Sequence, residues 1–247
     1  MSQEVASRLA GSEFFLLDRE NASGIGVDDL VRELADIVAS PADVVDLFAA
    51  LGDVKRLREM AECGVNLDAP NENGARPLHL AARYGQWRVV EFLVREGALV
   101  NELVPCVDPP LHEAVTHGGP KTATILIEGG ANVNAIGHDG RTALHCAADW
   151  GHTEMAGLLL DKGADPAAQW AHDVAEDTPP YMEDWAVTPL HLAVCSRYLD
   201  MVKLLVSRGA DIAACDLRGR TALDLAEVLQ WRPGVAVLRP MAALRAR

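Results

Sequence analysis

The sequence predicts an all-α solenoid: a single stack of short helical repeats with helical caps at its ends. Two ladders of residues predict it. Leu78, Leu111 and Leu144 stand 33 residues apart, Leu190 follows after 46, and Leu223 after a further 33. Gly64, Gly97, Gly130, Gly163 and Gly209 climb in step, at intervals of 33, 33, 33 and 46. Two markers that share one period and one interruption of 13 residues, the excess of 46 over 33, mark units that bury apolar surface only against their neighbours.

The residues inside the period carry a family resemblance. Asn73-Gly74-Ala75-Arg76-Pro77-Leu78-His79-Leu80-Ala81-Ala82, Asp139-Gly140-Arg141-Thr142-Ala143-Leu144-His145-Cys146-Ala147-Ala148 and Thr188-Pro189-Leu190-His191-Leu192-Ala193 resemble the ankyrin repeat. The endings Gly130-Ala131-Asn132-Val133-Asn134-Ala135, Gly163-Ala164-Asp165 and Gly209-Ala210-Asp211 agree with it. The resemblance spans residues 41–238. It implies a turn, two antiparallel helices and a short β-hairpin finger per repeat, stacked into a gently curved, L-shaped body.

Element by element, residues 1–39 form an N-terminal segment whose stretch Asp28–Ala39 places Leu30, Val31, Leu34, Ile37 and Val38 on one helical face, a cap for the open end of the stack. Ser40-Pro41 starts the next helix with a hydroxyl N-cap and a proline at the first helical position. The repeat domain covers 40–238, with repeats at 40–70, 71–103, 104–136, 137–169, 184–215 and 216–238 and an insertion at 170–183. Phe48 replaces the small residue of the tight helix–helix contact, which suits a terminal unit. Arg197 stands where other repeats carry Gly85, Gly118 and Gly151, so a locally different turn is expected there. Pro233 and Pro240 shorten the last helix, and the basic tail 239–247 is expected to fray.

Composition narrows the function. The net charge of −14, from 36 acidic against 22 basic residues, opposes binding to phosphate backbones and favours basic or neutral partners. The longest run without a charge, Trp185–Ser196, is too short to cross a bilayer, and the N-terminus lacks a basic flank followed by an apolar run. Cys63, Cys106, Cys146, Cys195 and Cys215 fit no paired spacing and read as free thiols of a cytoplasmic protein, with no metal or other cofactor expected. His79, His112, His145 and His191 follow the repeat leucine, where, by the resemblance, they hydrogen-bond the neighbouring turns; His152 also holds a structural position. Thr142, Thr188 and Thr221 are N-caps rather than nucleophiles. Asn101 and Asn134 are read as ties of the finger turns.

What remains after subtracting the scaffold points to binding. By the resemblance, two exposed first-helix positions and the finger tips face a concave groove. These are Arg83 and Tyr84, Thr116 and His117, Asp149 and Trp150, with His138, Arg141 and Trp170 from the fingers. The insertion adds Tyr181 and Trp185 within a segment, Trp170–Trp185, that holds five acids and no Lys or Arg. It is expected to fold back near Trp150 and wall the groove. Tyr84, Trp150 and Trp170 serve as apolar anchors, and Arg83 and Arg141 pair with acids. The leading expectation is a non-enzymatic protein–protein interaction module for a basic or amphipathic segment. The alternative is a small-molecule binder or enzyme using a pocket between groove and finger, with His117 and Asp149 as its acid–base pair.

Overall fold

The structure, a computed structural model, describes residues 41–102, 104, 107–171 and 186–245. Its helices begin where the sequence provides caps. The Thr142 and Thr188 amides donate to Nδ1 of His145 and His191, both at 3.2 Å, and the threonine hydroxyls meet the same nitrogens at 2.8 and 2.9 Å. Thr221 uses Asp224 instead: its amide donates to the carboxylate at 2.8 Å and its hydroxyl accepts the Asp224 amide at 3.2 Å.

Among the described residues six helix pairs follow one another. They are α1 (Pro41–Leu51) with α2 (Val54–Glu62), α3 (Pro77–Arg83) with α4 (Trp87–Arg95), and α5 (Pro110–Glu113) with α6 (Pro120–Glu128). Next come α7 (Ala143–Trp150) with α8 (Thr153–Asp161), α9 (Pro189–Cys195) with α10 (Leu199–Ser207), and α11 (Ala222–Val228) with α12 (Arg232–Arg245). Each first helix packs on the next first helix, and each second helix on the next second helix. Small residues make the close stacking possible: Ala81, Ala114, Ala147, Ala193 and Ala226 are fully buried between first helices. Phe48 fills that register in the first repeat, buried beneath the Arg56 guanidinium at 5.4 Å. The second helices supply Leu57, Leu93, Leu126, Leu159 and Leu205, all buried, and truncating one to alanine costs about 2–5 kcal/mol.

The fingers are minimal. β1 (Trp170–Ala171) pairs antiparallel with β2 (Ala186–Val187), Trp170 opposite Val187, on either side of the insertion. Single bridges join Val104 to Val107, Ile136 to Thr142 and Cys215 to Thr221. Just ahead of the fingers, asparagines clasp successive repeats. Asn101 donates to the Gly130 carbonyl at 2.8 Å and accepts the Asn132 amide at 2.7 Å; Asn134 does the same with Gly163 and Asp165, at 3.1 and 2.8 Å. The tie runs to the next repeat rather than within one turn.

Three expectations are corrected. Arg197 does not change the turn: it takes the left-handed conformation itself, φ 60°, as does Gln230 one repeat on, φ 53°. Its amide donates to Val194 and its guanidinium to the Leu229 carbonyl, which hold it there. The last helix is long, running through Pro240 to Arg245 instead of ending near Leu238, with Leu238 and Trp231 buried against the stack. Repeat three is irregular: α5 continues as one π-helical turn, Ala114–Gly118, and the left-handed residue becomes Gly119, φ 88°, in place of Gly118. The N-terminal capping helix, the Ser40 N-cap and residues 246–247 lie outside the described residues.

Candidate partner-binding surface

The repeat register brings one row of large side chains to the C-terminal ends of the first helices. Leu51, Tyr84, His117 and Trp150 stand 33 residues apart on four successive repeats. Tyr84 and Trp150 are 55% and 57% exposed, and Leu51 and the His117 imidazole are about as open to solvent. Stacked first helices lie about 8–10 Å apart, so Tyr84 and Trp150, two repeats apart, are separated by roughly 16–20 Å.

Beside this row runs a layer of ion pairs. Arg83 holds Glu113 in a two-pronged contact, Nε and the terminal nitrogen each donating at 2.8 Å. That bond raises the guanidinium pKa further. Glu113 is buried, and its second neighbour is His117 Nδ1 at 3.7 Å. Arg141 donates to Asp149 at 2.8 Å and lies 3.0 Å from Asp139. The Ser196 hydroxyl stands 3.5 Å from the other Asp149 oxygen. Asp108 receives both the backbone amide and the ring Nδ1 of His138, at 3.0 and 2.8 Å.

This geometry separates the sequence-predicted site residues into two groups. Arg83, Tyr84, His117, His138, Arg141, Asp149 and Trp150 do gather on one face. Trp170 does not join them as an anchor: it is 3% exposed, its indole N–H donates to the Asp139 carbonyl at 2.7 Å, and Arg141 covers its ring at 4.3 Å. Its area is already spent on the stack. Arg83 and Arg141 hold acids of the protein's own chain, which stiffens the face instead of leaving cations for a partner. Tyr181 and Trp185, with most of the insertion, lie outside the described residues.

The His117–Asp149 acid–base pair is likewise not assembled. His117 faces Glu113 and Asp149 faces Arg141. A hollow of about 400 Å³ adjoins His117, with Thr116, Gly119, Pro120, His152 and Met155, and Asp149 is not part of its wall. The scaffold histidines are unsuited to proton transfer at neutral pH, because burial holds His79 and His145 down to about 4 and lowers His112 and His191. Three of them close onto the next finger: Nε2 of His112, His145 and His191 stands 3.0, 3.0 and 3.3 Å from the carbonyls of Arg141, Val187 and Arg220. Burial pushes the Cys146 thiol up to about 12 and raises that of Cys195, so neither supplies a thiolate. Among the described residues no group of three or more His, Cys, Asp or Glu is placed to hold a metal ion, and no helix is long and apolar enough to cross a membrane.

Glu113 is the member of the site that sequence reasoning missed. Its register holds Leu80, Cys146, Leu192 and Leu225 in the other repeats. A carboxylate in an otherwise apolar register, with an arginine 30 residues earlier, was the available signal.

Comparison with known proteins gives one answer along the chain. The family described as "Ankyrin repeats (3 copies)" matches residues 99–169, "Ankyrin repeats (many copies)" matches 60–116, and "Ankyrin repeat" matches 187–217. Among solved structures, the ankyrin repeat domain of Bcl-3, a member of the IkappaB protein family, is 28% identical with a TM-score of 0.68, over 79% of this chain and 84% of that one. An ankyrin repeat domain from Acinetobacter baumannii AYE is 25% identical with a TM-score of 0.67, over 78% of this chain and 95% of its own. With the 33-residue ladders, the paired helices and the histidine-capped turns, these matches establish that the chain belongs to the ankyrin repeat family.

Proposed function

We propose that the protein is a non-enzymatic interaction module that holds a basic or amphipathic segment of another protein across the first-helix ends of repeats one to four. Ankyrin repeats are generally protein–protein interaction modules. The observation that carries the reading for this chain is the pair Tyr84 and Trp150, more than half exposed and aligned on one register. Large aromatics held open on a rigid scaffold are the side chains from which interface hot spots are built. Their separation, roughly 16–20 Å, suits apolar residues about 11–13 apart on a helix or five to six apart on an extended strand. Four carboxylates (Asp108, Glu113, Asp139 and Asp149) against two arginines leave the face acidic, in line with the −14 of the whole chain. A basic partner is the complement. Cys63, Cys146, Cys195 and Cys215 are free thiols, which fits a cytoplasmic setting.

The test is affinity capture from the native lysate with wild type beside Tyr84→Ala/Trp150→Ala, followed by titration of the partner recovered. Trp150→Ala is expected to weaken binding about tenfold, or roughly 1.4 kcal/mol, with unfolding unchanged. Equal capture by both proteins, or a stability loss as large as the affinity loss, overturns the assignment.

A further inference from the structure

The first half of the stack carries its charges against the helix dipole. The second residue of each of five second helices stands on one register: Lys55, Arg88, Lys121, Glu154 and Asp200, at intervals of 33, 33, 33 and 46. In repeats four and five it is a carboxylate, the sign that a helix N-terminus favours. In repeats one to three it is a cation, and no acid stands in the first turn. The other ends repeat the mismatch, with Glu62 and Glu128 closing α2 and α6 and Glu96 just past α4.

These cations converge instead of spreading. Lys121 reaches across a repeat boundary to place Nζ 3.1 Å from the centre of a Trp87 ring, and the Arg88 guanidinium lies 4.5 Å from the same side chain. The π face attracts each of them, yet two like charges on one indole repel. Arg58 lies 5.7 Å over Phe92. Stacking leaves the in-plane N–H groups of a guanidinium free to donate. Among the described residues Arg58, Arg88 and Lys121 have no carboxylate partner, and Lys55 stands 3.8 Å from Glu59. Arg58, Arg88 and Trp87 border an open hollow of about 690 Å³, with Val54 and Phe92. The acids of its wall are engaged or distant. Glu91 holds Arg95 at 2.6 Å, and Glu62 and Glu96 stand about 10–12 Å along their helices from Lys55 and Arg88.

We propose that this row on the second helices is a docking ridge for an acidic segment of a partner protein, its carboxylates received by Arg58 and Arg88 at the hollow and by Lys121 beside Trp87. It is a second surface, built by other helices than the Tyr84–Trp150 face and taking a ligand of opposite charge. A carboxylate here relieves the repulsion between Arg88 and Lys121 and meets helix ends that already favour an anion. Val54, Trp87 and Phe92 give the carbon stems of Glu side chains an apolar floor. The charge of the whole chain selects a protein acid over other anions. At −14 it opposes a phosphate backbone or an anionic lipid surface, which present charge densely and far beyond the row. Neighbouring second helices lie about 8–10 Å apart, so Lys55 to Lys121 spans roughly 16–20 Å, the reach of about six extended residues.

The test titrates the full chain into a fluorescein-labelled hexaglutamate peptide at low ionic strength and follows anisotropy. Wild type is set beside Arg88→Gln/Lys121→Gln and, for an equal change of net charge, Lys203→Gln/Arg208→Gln at α10. Wild type is expected to bind saturably, with Kd raised at least about fivefold in the row variant and less than about twofold in the control. Arg58→Gln, a single exposed change, should raise it about twofold to threefold and keeps the test decisive if the double variant does not fold. No saturable binding, an equal loss in the control, or an Arg58→Gln protein that binds as wild type overturns the proposal. So does tighter binding of a six-nucleotide oligothymidylate or of anionic lipid vesicles, which would make the row a general anion surface. The variants leave Tyr84 and Trp150 in place and the partner of that face is absent, so the two readings fail separately.

Discussion

Adjacent glycines in repeat three separate two physical reasons for needing glycine. Gly118 has ordinary backbone angles, but a Cβ added there would fall inside the contact shell of the Ala82 carbonyl oxygen, 3.1 Å from its carbon and 3.5 Å from Gly85 Cα. The reverse is also tight, since a Cβ on Gly85 would lie 2.7 Å from the Gly118 oxygen. Every one of these obstacles is backbone and cannot rotate away. Gly119 is the opposite case, with φ 88° and nothing within 4 Å of an added Cβ. Gly118→Ala must therefore spread α3 from the π-helical turn, at the upper end of the roughly 1–3 kcal/mol typical of overpacking. Gly119, at φ 88° and ψ 168°, lies where glycine is almost the sole occupant, so Gly119→Ala bears backbone strain alone, roughly 1–3 kcal/mol. In urea, with a slope of about 2–3 kcal/mol/M, a loss near 3 kcal/mol should lower the Gly118→Ala midpoint by roughly 1–1.5 M. Gly118→Ala should also show a reduced slope, because nearest-neighbour coupling in a repeat stack is what makes the transition sharp. If Gly119→Ala flattens the slope as much as Gly118→Ala, the backbone contact does not limit the joint and the reasoning fails.

Two further predictions concern stability. Trp170→Ala should cost about 3–5 kcal/mol in chemical unfolding, since the indole is buried and capped by Arg141; intact stability with lost partner binding would return Trp170 to the contact surface. Acid sensitivity should come from His79 and His145. The unfolded chain protonates these rings near 6.5 and the folded chain only near 4, so their stability is full above 6.5 and is lost as pH falls through that window, by roughly 2 kcal/mol per ring at pH 5. Asp46 acts in the other direction. Burial, partly offset by the Asn71 hydrogen bond, raises its carboxyl from 3.8 to about 7, so its contribution is full below 3.8 and is lost as pH rises through 7. Asp46→Asn should accordingly be more stable than wild type at neutral pH and lose stability more steeply on acidification. Parallel pH profiles for the two proteins would count against the Asp46 assignment, and wild-type stability unchanged between pH 6.5 and 5 against the histidines.

The stack was legible in the sequence because each repeat repeats its own physics: a cap, a leucine, a histidine, two small residues and a left-handed turn. The face was legible as far as register reaches, which is why Tyr84, His117 and Trp150 fall in line. Trp170 was misjudged because it begins the insertion and was weighed with that acidic segment. Its register told otherwise. Gly137, one repeat earlier, has no room for a Cβ beside Asp108 and His112, and Asp216, the next in register, is buried. The pairings of Arg83 and Arg141 depend on which carboxylates the stacking brings across a repeat boundary, and the sequence alone could not settle them. Arg197 shows the converse: a rule about glycine yielded to neighbours that hold an arginine in the left-handed turn.

The asparagine clasp has a mechanical consequence. It joins the second repeat to the third through Asn101 and the third to the fourth through Asn134, and the next residue in register is Ala167, which has no side-chain amide to offer. That is also the repeat whose finger is split by the insertion. The asparagine clasp carries tension from the second repeat to the fourth, and at the boundary after it the bridges are Arg208 to Asp161, Ser196 to Asp149 and His145 to the Val187 carbonyl. Pulled from its ends in an optical trap, the protein should hold repeats two to four together longest. The outer repeats would release before them and leave the Tyr84–Trp150 face standing.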